Sequence, residues 1–309
     1  MSNVWKTTSI AVLTTVLMST SGLASVQPTI QPTDPSVGLV DDIGSADRIK
    51  YSDRLRTLTQ TLASAACHLN SGIDVDVNKA ILENGIQEFD YLSTSLRYGN
   101  AELNIIGEEG DPKTKRAMEL LEREWTPMKA AFSDILETND DANALSVIYN
   151  GNDRLLKWAG VLETQLEAQY SNPTELLQSD AMLMEISGKQ SMTTQRLSFI
   201  ACKIQSGTQT DDEIAGLKEL AEQFDFSVRA LQTGRPELGL NAAPTPEISA
   251  KLADIIDGWD DISGKLNTLA STGVVSQEDV KQIGRALYQK METMEKVTHL
   301  YTEYSRRVY

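Results

Sequence analysis

Histidine and cysteine are nearly missing from this 309-residue chain, which has two of each, nine prolines, and only four Trp, five Phe and nine Tyr. Two histidines, His68 and His299, cannot build a His-rich metal centre and leave little material for a Ser-His-Asp triad. Two cysteines exclude a disulfide-dense scaffold. Basic residues are also few, 28 Lys and Arg against 44 Asp and Glu, which gives a formal charge of −16. That balance excludes nucleic acid or an anionic membrane as the main partner, because both require clustered cations. Gly-rich phosphate loops are absent, and no Glu-x-x-His supplies a di-metal site. The chain reads as a non-enzyme with no catalytic residues, no cofactor and no metal ligands. Its length suggests two domains, each able to bury a core.

The N-terminal 24 residues hold one Lys (Lys6), an apolar stretch from Ile10 to Met18, and small residues ending at Gly22 and Ala24. This is the pattern of a signal peptide over 1–24, cleaved near Ala24, and it predicts export to the periplasm. The competing reading is an uncleaved anchor, but the apolar run is too short to span a bilayer comfortably. No later run approaches eighteen apolar residues, so a soluble mature chain with no membrane span is expected. Loss of Lys6 takes the charge from −16 to −17. Residues 25–45, with Pro28, Pro32 and Pro35, read as an extended linker.

The remainder repeats itself. Shifted by 135 residues, Ser52–Ile105 lies over Ser187–Leu240 without a gap, and 17 of the 54 positions are identical. The shared residues include Gln60/Gln195, Ala66-Cys67/Ala201-Cys202, Ser71-Gly72/Ser206-Gly207 and Phe89-Asp90/Phe224-Asp225. At an offset of 134 the register continues through Met118/Leu252, Leu121/Ile255, Trp125/Trp259, Met128/Ile262 and Phe132/Leu266. Those positions step by three and four, the period of an amphipathic helix. At that spacing both tryptophans read as core, with ligand stacking as the alternative.

Each copy reads as four helices. In the first, a helix over 46–70 ends at Ser71-Gly72, a second begins with Asp76 as its cap and stops at Gly99, Asp111-Pro112 opens a third, and Asn139-Asp140-Asp141 a fourth ending near Tyr170. In the second, helices are expected over 175–206, 211–233, 246–270 and 276–307, with Ser276 to Asp279 as a capping box. The fold class is therefore all-α: two tandem antiparallel four-helix bundles, over 46–171 and 174–309, joined at Asn172-Pro173.

The first helix of the second copy carries Ser187-Gly188, Met192, Gln195 and Arg196. These residues resemble the opening helix of the PilJ-type sensor domain, whose signature runs Asn-x-Ala-Gly-x-x-Arg-Met-x-x-Gln-Arg. That domain is named for the type IV pilus methyl-accepting chemotaxis transducer and is related to the periplasmic domain of NarX-type nitrate/nitrite sensor kinases. The first copy matches through Ser52, Arg56, Gln60 and Leu62, but has Asp53 for the Gly and Thr57 for the Met. Phe89-Asp90-Tyr91 and Phe224-Asp225-Phe226 in the second helices resemble the family as well.

The resemblance implies a bundle that pairs through its first helix, with the Arg before the Met reading an anion at the pair. Carried over, that position is Arg56 in one copy and Ser191 in the other; the second signature Arg is Arg196, but Thr61 in the first copy. The candidate ligand set is Arg56, Gln60, Ser191, Gln195 and Arg196. A symmetric two-arginine clamp is lost, which weakens the case for nitrate, although one guanidinium can still hold a planar oxyanion. The plain alternative for Arg56 and Arg196 is ordinary ion pairing. Cys67 and Cys202 lie eleven residues beyond Arg56 and Ser191, on the same helix face and about 16 Å along. If the first helices run side by side and parallel, these cysteines could form a disulfide between the copies; the alternative is a free thiol inside each bundle.

Elsewhere, Asp74-Val-Asp76-Val-Asn78 imitates the start of a calcium loop, but Lys79 and Gly85 stand where Gly and Glu are required. Acidic clusters at 108–111, 140–141, 211–213 and 260–261 fall at or near helix starts. Two functions fit: a periplasmic sensor-like protein that binds a small solute and signals with a membrane partner, or a helical adaptor without a ligand in an envelope, pilus or chemotaxis assembly.

Overall fold

A computed structural model describes residues 35–170 and 178–308. The expected signal peptide, most of the linker and the Asn172-Pro173 join lie outside the described residues. The first copy comprises α1 (Pro35–Asn70), α2 (Val75–Tyr98), α3 (Pro112–Thr138) and α4 (Ala142–Tyr170). The second comprises α5 (Gln178–Gln205), α6 (Asp211–Thr233), α7 (Pro246–Ile256), α8 (Trp259–Thr272) and α9 (Gln277–Val308). The fold is all-α, two copies of a helical bundle with one core each. Among the described residues, extended pairing is confined to one bridge per copy, Asn100 with Ile105 and Arg235 with Leu240, at matched positions.

Local chemistry explains most boundaries. Asp111 accepts hydrogen bonds from the Lys113 and Thr114 amides ahead of Pro112, and Asp141 does the same for Asn143 and Ala144. Thr210 and Glu213 form a full capping box on α6, and Ser276 accepts from the Asp279 amide on α9. Gly72 and Gly207 take positive φ after α1 and α5, as helix-terminating glycines do.

Three expectations need correction. α1 extends back to Pro35, so part of the segment read as linker is helical; proline is tolerated in a first helical turn. α2 starts one residue beyond Asp74, placing Asp76 inside its first turn rather than at the cap. The helix expected over 246–270 is broken between α7 and α8 at Asp257-Gly258, where Gly258 has φ of 68°. Lys290 of α9 holds the break, donating to the carbonyls of Ile255 (2.6 Å) and Asp257 (2.8 Å) that a continuous helix would have used itself.

The tryptophans lie in the two cores. Trp125 stacks on Phe89 with ring centroids 3.9 Å apart, and Trp259 meets Phe224 at 4.4 Å. Both are almost fully buried.

The bundles meet through their first helices. Cys67 and Cys202 are joined as a disulfide with Cα atoms 6.2 Å apart. Ser64 Oγ donates to Ser198 Oγ at 2.9 Å. Asp53 packs against Gly188, where its carboxylate takes the space of an absent Cβ. All three pairs link positions 134 or 135 apart, so α1 and α5 run parallel and in register about a pseudo-twofold axis.

Candidate functional site at the paired first helices

On α1, Arg56 is turned toward α4. Its Nη2 reaches Asp53 Oδ1 at 2.8 Å, and its Nη1 reaches Glu163 Oε2 at 2.6 Å. Glu163 is buried, and Glu167 of α4 and Glu185 of α5 line the same cavity of about 400 Å³ beside Arg56. Two carboxylates thus share one guanidinium, with Glu167 half-buried and Glu185 exposed nearby. Burial, then the Asp53 charge, push Glu163 up to about 9 against the opposing pull of Arg56. Burial raises Asp53 despite the same arginine, and raises Glu167 with help from Glu185. Sequence reasoning missed this cluster, although Asp53 in place of the signature Gly was a visible departure.

The other candidate residues face elsewhere. Gln60 donates to Asn152 Oδ1 of α4 at 2.9 Å, and Gln195 to the Leu287 carbonyl of α9 at 3.4 Å. Asn152 and Leu287 are themselves 135 positions apart, so each glutamine reaches the last helix of its own bundle. Ser191 is buried, and Arg196 pairs with Asp153 of α4 at 3.0 Å. Arg196 lines a different and larger groove, about 780 Å³, between α4, α5 and α6. The five residues therefore do not converge on one pocket. Five helical steps turn a side chain by about 140°, which sends Ser191 and Arg196 to different faces. At the height of Arg56, four buried polar atoms have no hydrogen-bond partner: Arg56 Nε, Thr57 Oγ1, Gln60 Oε1 and Ser191 Oγ.

Two further groups hold the frame. Arg48 donates to the carbonyls of Leu96, Ile106 and Gly107, and lies 3.6 Å from Glu109. Glu109, read from sequence as part of a helix-start cluster, is fully buried and accepts from Gln169 and Tyr170 at the end of α4. Asp74 of the calcium-like stretch instead bridges the copies, meeting Arg285 Nη2 at 2.6 Å and Lys281 at 3.5 Å. These cations keep its carboxyl below the usual range. His68 donates from Nδ1 to the Ser64 carbonyl at 2.8 Å and packs on Gly284 of α9; burial lowers its pKa. Among the described residues no His, Cys, Asp or Glu group is arranged to hold a metal ion. No described helix is long and apolar enough to cross a membrane.

A family model described as the N-terminal region of the type IV pili methyl-accepting chemotaxis transducer (PilJ) matches the chain twice, over residues 43–149 and 174–287. No curated protein and no solved structure matches it.

Proposed function

Because the chain belongs to the PilJ family, with two copies of the domain in one polypeptide, we propose that it is a sensory input module that signals through a membrane-bound chemotaxis or pilus partner. In this reading the chain is exported and acts on the periplasmic side. The Cys67–Cys202 bridge supports that location, since disulfides persist in oxidising compartments. The observation that carries the proposal is the parallel, in-register α1–α5 seam: the first-helix pairing implied by the family resemblance is built inside one chain, so no second copy is needed.

The solute is proposed to bind at the height of Arg56. Unpaired buried polar groups each cost about 1–3 kcal/mol, and four such atoms lie on α1 and α5 within about one helical turn of the height of Arg56. An oxyanion is a poor occupant, because Asp53, Glu163, Glu167 and Glu185 surround the arginine that would receive it. A small neutral or zwitterionic solute suits these donors and acceptors better. A thermal-shift screen of small solutes, with nitrate and nitrite included, tests this. A solute at ten times its Kd adds about 1.4 kcal/mol of stability. That gain is expected to vanish in Ser191→Ala and Gln60→Ala.

The saturation of Arg56 by carboxylates favours one second reading, a helical adaptor that keeps the bundle without a ligand. No shift with any solute at millimolar concentration would select it.

A further inference from the structure

The α1–α5 seam is held differently at its two ends. Toward the C-terminal ends, Cys67–Cys202 joins the helices covalently and Ser64 bonds to Ser198 beside it. Tyr149 of α4 closes over the bridge, its hydroxyl 3.1 Å from Cys67 Sγ. Fourteen residues earlier, about 21 Å along the helix, the contact is Asp53 against Gly188. Here α1 supplies Asp53 and Arg56, α4 supplies Glu163 and Glu167 with Lys157 at the rim, and α5 supplies Glu185. On the α9 side, Arg54 is already engaged by Glu88, at 2.7 Å, and by Glu295. Arg54 also acts on Asp53, but its own two carboxylate partners leave the cluster with more acid than base.

We propose that this junction is a proton-operated clasp: Asp53 and Glu163 share a proton when the N-terminal halves of α1 and α5 are closed, and release it to solvent when they part about the disulfide as a fixed pivot. The step is balanced, since a carboxylic acid bonded to a carboxylate becomes two carboxylates and one free proton. The driving force for opening is like-charge repulsion between half-buried Asp53 and buried Glu163, which water screens only in part. Burial raises both carboxyls, and the Asp53 charge raises Glu163 further, as the closed state requires. The asymmetry of the copies fits this role. Only a glycine at 188 lets the Asp53 carboxylate reach the seam, so the copy that lost the signature Gly supplies the acid and the copy that kept it supplies the space. This inference rests on the α1–α5 pair being the signalling element, and it names what regulates that pair.

Amide hydrogen exchange on the full chain with its disulfide intact tests it. After correction for the intrinsic chemical rate, protection of residues 178–190 is expected to fall between pH 6 and pH 9. Release of one proton allows at most about a tenfold change per pH unit. Residues 196–205, near the pivot, should keep their protection. In Glu163→Gln the fall should disappear; if that variant folds poorly by circular dichroism, Asp53→Asn serves the same purpose. Constant protection of 178–190 across the range, or an equal fall in the variants, would overturn the clasp. A solute-induced thermal shift that persists beside either failure would leave the sensory reading standing, and its absence beside a working clasp would remove only the solute.

Discussion

Asp53 and Gly188 occupy the same position in the two copies, and in the folded chain they touch. The Asp53 carboxylate lies where a side chain on residue 188 would begin. Gly188→Ala should therefore destabilise the protein, although alanine is favoured over glycine by about 1 kcal/mol inside a helix. The clash sets the sign, because overpacking costs about 1–3 kcal/mol. Chemical denaturation of Gly188→Ala, Asp53→Ala and the double variant forms a cycle that isolates the contact. The double variant is expected to recover most of the loss. Independent, additive effects would show that the two residues do not press on each other.

Glu163 fixes the sign of the pH dependence. Its folded pKa is raised from 4.5 to about 9, so the folded state binds its proton more tightly than the unfolded chain does. The contribution is fully present below pH 4.5 and is lost as pH rises toward 9. Thermal melts should show the wild type losing stability over that window more steeply than Glu163→Gln. The two should converge at acid pH. Parallel curves would mean that Glu163 is ionised in the folded protein.

The duplication was legible because both copies still obey one pattern. The 135-residue offset places Cys67 with Cys202 and Phe89 with Phe224, and those residues meet or play matched roles in space. The carboxylate cluster was not legible. Asp53 and Glu163 are far apart in sequence, and in a chain with 44 acidic residues neither stands out. Which face of α1 meets which helix depends on the docking of the bundles, and helical periodicity does not contain that information. The same limit scattered the candidate ligand residues: Arg56 and Arg196 follow one signature, yet they open on different cavities.

The Cys67–Cys202 bridge closes a loop of 135 residues. In the chain-entropy account a loop of that size is worth about 4–5 kcal/mol. Cys67→Ala with Cys202→Ala should lose stability on that scale in denaturant titrations. Both cysteines are fully buried, so the oxidised protein should resist reductant until it is partly unfolded. Intact mass with and without reductant, followed by alkylation, checks the bond directly. Two freely alkylated thiols in the unreduced protein would remove the bridge, and with it the pivot.

Lys290 supplies the last expectation. It is buried at 8% exposure and donates to the carbonyls of Ile255 and Asp257 where α7 ends. The corresponding stretch of the first copy, through Glu124 and Trp125, runs on unbroken within α3. Glycine in place of glutamate at 258 permits the break, and the lysine satisfies what the break exposes. Lys290→Met keeps the volume of the stem but leaves two carbonyls without a donor. Each such group costs about 1–3 kcal/mol when buried, so a loss of about 2 kcal/mol is expected once solvent reaches part of the site. Gly258→Ala, forced to keep a φ of 68°, should cost about 1 kcal/mol by itself. Combined with Lys290→Met it should cost less than the sum if α7 and α8 then fuse into one helix. Amide exchange at Asp257 and Gly258 would report that fusion, and full additivity without new protection would show that the break is set by other contacts.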